Sequence, residues 1–180
     1  MSSQTRVKLQ RGMALVFAVG LSAFLLLNQE KIAGMQVLGY PGIFLLTMLS
    51  NATIILPVPG VLISSTMGAV FNPLWVGVTA GAGAAIGELV GYVAGISGQG
   101  IIEKNEWSTR VEEWVRKYGS FAVLVLAFIP NPLFDIVGIT AGILKMPLPK
   151  FLFWCVLGKI LKMLVFSYGG DFILGKFPWF

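Results

Sequence analysis

Four charged side chains lie inside stretches of the sequence that are otherwise almost wholly apolar. Glu88 lies midway along one apolar run, Lys159 and Lys162 lie midway along another, and Asp135 follows a pair of prolines. A charge at the centre of a membrane helix costs about 3 kcal/mol on insertion scales, so each should face a cavity or an opposite charge. Two acids and two bases predict a polar path for a charged substrate or for protons. The alternative is structural ion pairing that holds the helices together.

The composition places these charges in a membrane. The 180 residues are 56% hydrophobic and only 12% charged, with a mean hydropathy of +0.83, whereas soluble domains carry about 25% charge. Histidine is absent and Cys155 is the only cysteine, which excludes an intrachain disulfide, a Cys/His zinc site and a His-dependent triad. No nucleotide-binding glycine motif occurs. We therefore predict an all-α integral membrane protein that is not an enzyme and needs no metal or cofactor.

Proline breaks divide two apolar regions into short limbs. The limbs beside the second break are about twelve residues each, or roughly 18 Å of helix, which cannot cross a hydrocarbon core of roughly 30 Å. Proline removes an amide donor and ends a helix, so each region is predicted to form a re-entrant hairpin. A proline-kinked spanning helix is the alternative. The break residues are Pro57, Pro59 and Gly60 in the first hairpin, and Pro130, Asn131 and Pro132 in the second.

The two regions also repeat one another. The paired prolines of the two breaks lie 73 positions apart, and "GELVG" around Glu88 corresponds to "GKILK" around Lys159. If each half is one hairpin plus one spanning helix, each half crosses the membrane once and the halves are inverted, as in many transporters. A pseudo-two-fold axis would then bring Glu88 and Lys159 toward one site at the midplane. Asn131, at the second tip, could offer its amide or freed carbonyl groups to a ligand.

The remaining segments complete the predicted organisation. Residues 103–118 place apolar and charged side chains on opposite faces of a helix, which indicates an amphipathic helix in the membrane interface; a solvated helix packed on the protein is the alternative. Gly83, Gly87, Gly91 and Gly95 form small-xxx-small steps that favour close helix packing. The predicted parts are an N-terminal transmembrane helix and loop (1–36, a signal peptide being the alternative), one domain (37–168, with repeat halves 37–97 and 117–168) and a C-terminal tail (169–180).

The distribution of positive charge sets the predicted orientation. With the N-terminus inside, nine lysines and arginines lie on the inner face and only Lys31 and Lys176 lie outside, in accord with the positive-inside rule. Making residues 37–57 a full span would send six of those nine outside. The orientation in the membrane thus accounts for the net charge of +5, and nucleic-acid binding is not needed to explain it. We expect a multi-pass protein of the cell (plasma or inner) membrane with a cytoplasmic N-terminus.

The motifs resemble those of a known family. "PVPG", "FNP" and "GAGAAIGELVGYVAG", followed by "IPNPLFDIVGITAG" and "GKILK", are similar to the DedA/VTT family, also called SNARE-associated Golgi proteins. "IPNPLFDIVGI" is most similar to the vacuole membrane protein branch. The resemblance covers residues 37–168 and implies two opposed re-entrant hairpins. It also implies lipid movement across the bilayer, by scramblase-like members or by proton-coupled flippases.

The resemblance implies roles for some residues. Asp135 matches the aspartate of the "NPLFD" branch, and Glu88 lies in the family's glycine-rich stretch. Where proton-coupled bacterial members carry a glutamate and arginines, this chain has Val61, Ala127 and, approximately, Phe134. We therefore predict a scramblase-like lipid translocase. A proton-coupled flippase for an anionic lipid carrier or phospholipid, using Glu88 or Asp135, is the second hypothesis, and a non-transporting scaffold is the third. The expected partners are membrane phospholipids, with protons and a second copy of the chain as further candidates.

Overall fold

The computed structural model describes residues 36–52, 60–97, 106–130 and 134–174, and every regular element within them is an α-helix. The predicted helix in residues 1–36, together with Pro57, Pro59, Asn131 and Pro132, lies outside the described residues, apart from Gln36 itself. The helices are α1 (Gln36–Ala52), α2 (Gly60–Gly68), α3 (Pro73–Gly87), α4 (Leu89–Ile96), α5 (Glu106–Tyr118), α6 (Ser120–Phe128), α7 (Phe134–Ile143) and α8 (Leu148–Leu174).

Among the described residues, two helical stretches are long and apolar enough to cross a membrane. One is Pro73–Ile96, formed by α3 and α4 with a one-residue interruption at Glu88, and the other is α8. Asn72 starts the first stretch, because its side chain accepts a hydrogen bond from the Leu74 N–H at 3.0 Å and Pro73 occupies the first helical position. The sequence signal "NP" therefore fixes this helix start locally.

The second long helix extends beyond its predicted end. The sequence predicts a span that ends at Tyr168 followed by a tail, but α8 continues to Leu174. The extra turn is packed against the protein, since the backbone of Gly170 lies directly against that of Ser65 in α2. Tertiary packing thus prolongs the helix through a Gly-Gly pair that local preference alone would end.

The remaining helices are short. The nine residues of α2 and α6 and the ten of α7 give roughly 13–15 Å of helix at 1.5 Å per residue, at most about half of a core of roughly 30 Å. Even α1, with 17 residues, reaches only about 26 Å. Within the described residues, none of these four stretches of helix is long enough to cross by itself.

Contacts between glycines and their neighbours give the relative directions in the first half. Gly83 lies on the backbone of Phe44 and Gly87 on that of Met48, so α1 runs parallel to α3. Helix α2 runs parallel to α8, because Gly60 lies beside Met163 and Ser65 beside Gly170. Helices α3 and α8 are antiparallel, as Gly77 lies on Leu164 and Gly81 on Ile160. It follows that α1 and α2 run in opposite directions, as the two limbs of a helical hairpin.

The second half shows the same relations with the long helices exchanged. Helix α6 runs parallel to α8, since the Phe121 ring lies 6.4 Å from that of Trp154 while Ala127, further along α6, packs on Gly158. Helix α7 runs parallel to α4. Gly138 lies beside the Glu88 carbonyl, and Gly142, one turn later in α7, packs against Tyr92, Gly95 and Ile96, which come later in α4. Helices α6 and α7 are therefore the opposed limbs of a second helical hairpin.

The four glycines predicted to form one packing stripe meet two different partners. Gly83 and Gly87 lie against α1, whereas Gly91 and Gly95 lie against α7. The interruption at Glu88 separates the two pairs. Close helix packing at these glycines is thus shared between two partner helices, and the α4–α7 contact uses a second small-xxx-small step, Gly138–Gly142, that the sequence analysis did not identify.

The amphipathic helix α5 also divides its apolar side. Val111 and Val115 are buried in a core cluster with residues of α6, α7 and α8, while Trp114 and Tyr118 are about half exposed. Part of the apolar side therefore packs on the protein and part remains on its surface. The long helices likewise expose large apolar side chains such as Trp75, 56% exposed, as expected for a surface in contact with lipid.

Adjacent glycines in α8 provide a matched test of this packing. Gly170→Ala should lower the thermal stability of the detergent-solubilised protein by about 1–3 kcal/mol, because the new methyl group would overlap the Ser65 carbonyl of α2. Gly169→Ala meets no atom within 4 Å and should leave stability unchanged or raise it by up to about 1 kcal/mol through helix propensity. Equal melting temperatures for the two variants would contradict the close α2–α8 contact.

Candidate functional site

A buried ion pair joins the two long helices. The Lys159 Nζ atom of α8 lies 2.5 Å from the Glu88 Oε1 atom at the α3–α4 interruption. Each residue is only 2% exposed. Lys159 Nζ also donates a hydrogen bond to the Asn51 Oδ1 atom at 2.9 Å, and Asn51 Nδ2 donates to the Thr47 carbonyl at 2.8 Å. The lysine is thus held by one charged and one neutral acceptor from two different helices.

Small residues beside the pair allow the helices to approach. Gly87, next to Glu88, lies against the end of α1 at Asn51 and Ala52, and Gly158, next to Lys159, lies against the end of α6. A side chain at either glycine would separate these helix ends from the long helices. The sequence places glycine next to each charged residue, and the result is a tightly enclosed pair.

The break-facing ends of three hairpin limbs and the middle of the fourth limb meet at this level. Helix α1 ends at Asn51 and Ala52, and the first residue of α2, Gly60, faces both Asn51 and Met163. The C-terminal end of α6 packs on Gly158. In the middle of α7, Gly138 lies against the Glu88 carbonyl. The ion pair is therefore surrounded by the helix ends that flank the two proline breaks.

The structure brings together some of the predicted site residues. Glu88 and Lys159 form the pair. Lys162 lies on the same face of α8 one turn further on and is 7% exposed. Asp135 is the second residue of α7, and its side chain lies outside the description, as does Asn131. Pro130 is exposed and follows Ile129, whose extended backbone ends α6.

Asn51 belongs to the site although the sequence analysis did not select it. It lies in "NAT", which matches a glycosylation motif inside an apolar run, and such a match carries little weight there. The available signal was a polar amide six residues before Pro57, close to the predicted hairpin tip. Its role depends on the parallel packing of α1 on α3, which local sequence does not reveal.

The geometry defines what this site can do chemically. A cation and an anion at 2.5 Å neutralise each other, and desolvation makes such a pair stable only while both partners are present. Among the described residues no group of three histidines, cysteines, aspartates or glutamates could hold a metal ion. In this conformation the pair is enclosed by the surrounding helix ends. If the two side chains separate, Lys159 can bind an anionic group and Glu88 can bind a cationic group.

Two antiparallel long apolar helices, two helical hairpins packed on them and an internal ion pair define a membrane protein with a charged interior. The chain belongs to the VTT domain family, whose profile matches residues 58–172, more than half of the chain. The family resemblance drawn from the sequence motifs is thereby confirmed.

Curated relatives match shorter stretches. Human "Vacuole membrane protein 1" is 46% identical over 54 residues, which cover 29% of this chain and 13% of that protein. "Vacuole membrane protein KMS1" of Arabidopsis thaliana is 37% identical over 101 residues, covering 44% of this chain and 24% of that protein. "Vacuole membrane protein 1 homolog" of Dictyostelium discoideum is 39% identical over 61 residues, covering 34% and 15%. The matched stretches thus span a quarter or less of these relatives. No solved structure matches the chain.

Proposed function

We propose that this protein moves phospholipids between the two leaflets of a membrane, in the manner of a scramblase, with the Glu88–Lys159 pair as the polar site that a headgroup meets. The observation that carries the proposal is the position of the pair, which lies buried between two membrane-length helices and surrounded by the ends of both hairpins. Charges inside a membrane bundle are costly and commonly mark a path for ions or substrates.

The packing of the helices supports an inverted repeat. In each half, the first hairpin limb runs parallel to the long helix of its own half and the second limb runs parallel to the long helix of the other half. A two-fold rotation about an axis in the membrane plane would exchange the two halves and would keep each of these parallel helix pairs parallel. Repeats of this kind place the binding site at their interface near the midplane, and in the proposed repeat Glu88 and Lys159 contribute one residue from each half to that site.

The proposed step is an exchange of partners. A zwitterionic phospholipid headgroup carries a phosphate and an ammonium group, the same two charges that Lys159 and Glu88 present to each other. When the hairpin ends move apart, the phosphate can take the place of the Glu88 carboxylate at Lys159, and the ammonium group can pair with Glu88. The exchange keeps every charge partnered while the headgroup crosses the apolar core, which lowers the desolvation cost of the crossing. No covalent bond forms.

A second candidate follows from the hydrogen bond between Lys159 and Asn51. If Glu88 takes up a proton, its charge is lost, but Lys159 is still held by the neutral amide of Asn51 and can bind a lipid phosphate. Proton uptake at Glu88 would then be linked to binding of an anionic headgroup, as in a proton-coupled flippase. The two candidates use the same residues and differ in whether a proton gradient changes the rate.

Reconstitution tests the proposal directly. The purified full chain is placed in liposomes with trace fluorescent phospholipids of several headgroups, and dithionite bleaching of the outer leaflet is followed. We expect complete bleaching with the protein and about half bleaching without it, since only lipid movement exposes inner-leaflet label. An imposed pH gradient should leave a scramblase unchanged and should accelerate a proton-coupled flippase. Half bleaching for every headgroup, with folded protein in the liposomes, would overturn both transport candidates and leave a scaffold.

A further inference from the structure

An apolar groove lies on the surface between α5 and α6, away from the ion pair. Its volume is about 250 Å³, and its lining residues are Trp114, Tyr118, Phe121, Ala122 and Val125. This volume is smaller than the roughly 300–1,000 Å³ of sites for drug-sized ligands, so it suits a segment of a chain. A membrane supplies such a surface groove with an apolar chain, the acyl chain of a lipid.

The residues along the groove indicate its depth in the membrane. Trp114 and Tyr118, at the end of the amphipathic helix, are about half exposed and stack edge to face with ring centroids 5.9 Å apart. Tryptophan and tyrosine favour the headgroup level of a bilayer. Phe121 and Val125 follow along α6, whose nine residues lead toward the second proline break. The groove therefore runs from the headgroup level into the acyl-chain region.

A cation stands at the headgroup end. Lys117 Nζ lies 5.2 Å from the centre of the Tyr118 ring, and among the described residues no carboxylate pairs with it. Its neighbour Arg116, by contrast, is bound to Glu112 at 2.7 Å. The Lys117 ammonium group over Tyr118 repels the quaternary ammonium group of a zwitterionic headgroup. It attracts the phosphate of a headgroup whose net charge is negative.

We propose that this groove binds one anionic phospholipid, with an acyl chain along Phe121 and Val125 and its phosphate at Lys117. The site is separate from the Glu88–Lys159 pair, and it does not depend on lipid movement by the protein. The headgroup of the lipid would contact the interfacial helix α5, and its acyl chain would contact the hairpin limb α6. One lipid would therefore bind both helices. Ordinary exchange of lipids around the protein, without preference for headgroup, is the alternative.

Bromine quenching of a single tryptophan tests this site. Trp75, Trp107, Trp154 and Trp179 are replaced by phenylalanine, which leaves Trp114 as the reporter in the full chain. The protein is reconstituted in phosphatidylcholine vesicles that contain a fixed minor fraction of dibrominated phosphatidylglycerol or, in parallel, dibrominated phosphatidylcholine. We expect the brominated phosphatidylglycerol to associate about fivefold more strongly, which corresponds to about 1 kcal/mol for one lysine near an anionic surface.

The variants separate a built site from general attraction. Lys117→Gln should remove the headgroup preference, Lys117→Arg should keep it, and Arg116→Gln, a loss of the same charge one residue away, should also keep it. Val125→Phe, which fills the groove, should reduce quenching by both brominated lipids. Equal quenching by the two lipids in the parent, or loss of preference in Arg116→Gln equal to that in Lys117→Gln, would overturn the proposal. Because the measurement reports binding, its failure leaves the test of lipid movement untouched.

Discussion

Neutralising Glu88 or Lys159 alone should destabilise the folded protein by about 3–5 kcal/mol, because removal of one partner leaves the other charge buried and uncompensated. Both side chains are only 2% exposed and lie 2.5 Å apart, so water cannot replace the missing partner without opening the helix packing. The variants are Glu88→Gln and Lys159→Gln, which keep the approximate size of the side chain. The measurement is the midpoint of thermal or dodecyl-sulfate unfolding of the purified protein in mild detergent.

The double variant Glu88→Gln/Lys159→Gln should recover most of the lost stability. Two amides of similar size can hydrogen-bond to each other, and neither residue of the pair is left charged without the other. The surface variant Glu112→Gln is the matched control, since it breaks the exposed pair with Arg116 and should change stability by less than about 1 kcal/mol. Asn51→Ala, which removes the neutral acceptor of Lys159 and the amide donor to the Thr47 carbonyl, should fall between these cases at about 1–3 kcal/mol. Additive losses in the double variant would show that the two residues are not coupled.

Much of the helical organisation could be predicted from the sequence because its signals are local. The Asn72–Pro73 dipeptide starts a long helix, and Pro130 stands where α6 ends. Helix α5 occupies the segment whose charged and apolar residues alternate at helical spacing. The apolar runs identify the two long helices by length and composition alone. Capping residues, prolines and periodicity act within a few residues, so one sequence suffices to locate them.

The alignment of the two halves also placed Glu88 near Lys159, but it could not select the other partners of the site. Asn51 reaches Lys159 only because α1 packs parallel to α3 on Gly83 and Gly87. The helix interruption at Glu88 carries no proline, and a run of glycines and alanines around it fits one continuous helix equally well. These features arise from contacts between residues far apart in the chain. The position of the Asp135 side chain, and the roles predicted for Asn131 and Lys162, stay predictions.

Lipid movement by the double variant Glu88→Gln/Lys159→Gln should fall by about 10- to 100-fold although the protein folds. Its amides replace the charged groups that the headgroup is proposed to meet, and hydrogen bonds to charged groups contribute about 1.5–3 kcal/mol where neutral ones contribute less. The difference is about 1 kcal/mol for each of the two headgroup contacts, and a total loss of about 2 kcal/mol in the rate-limiting crossing corresponds to roughly the stated change in rate. The measurement is the dithionite assay in liposomes that contain equal amounts of folded parent or variant.

The exposed pair again supplies the control for charge. The double variant Glu112→Gln/Arg116→Gln removes the same number of charges of each sign from the surface of α5, where the side chains are 45% and 61% exposed, and should move lipids at the parent rate. A folded Glu88→Gln/Lys159→Gln protein that also moves lipids at the parent rate would show that the buried pair only holds α3, α4 and α8 together. In that case the exchange of partners at Glu88 and Lys159 would not be the step that carries the headgroup across.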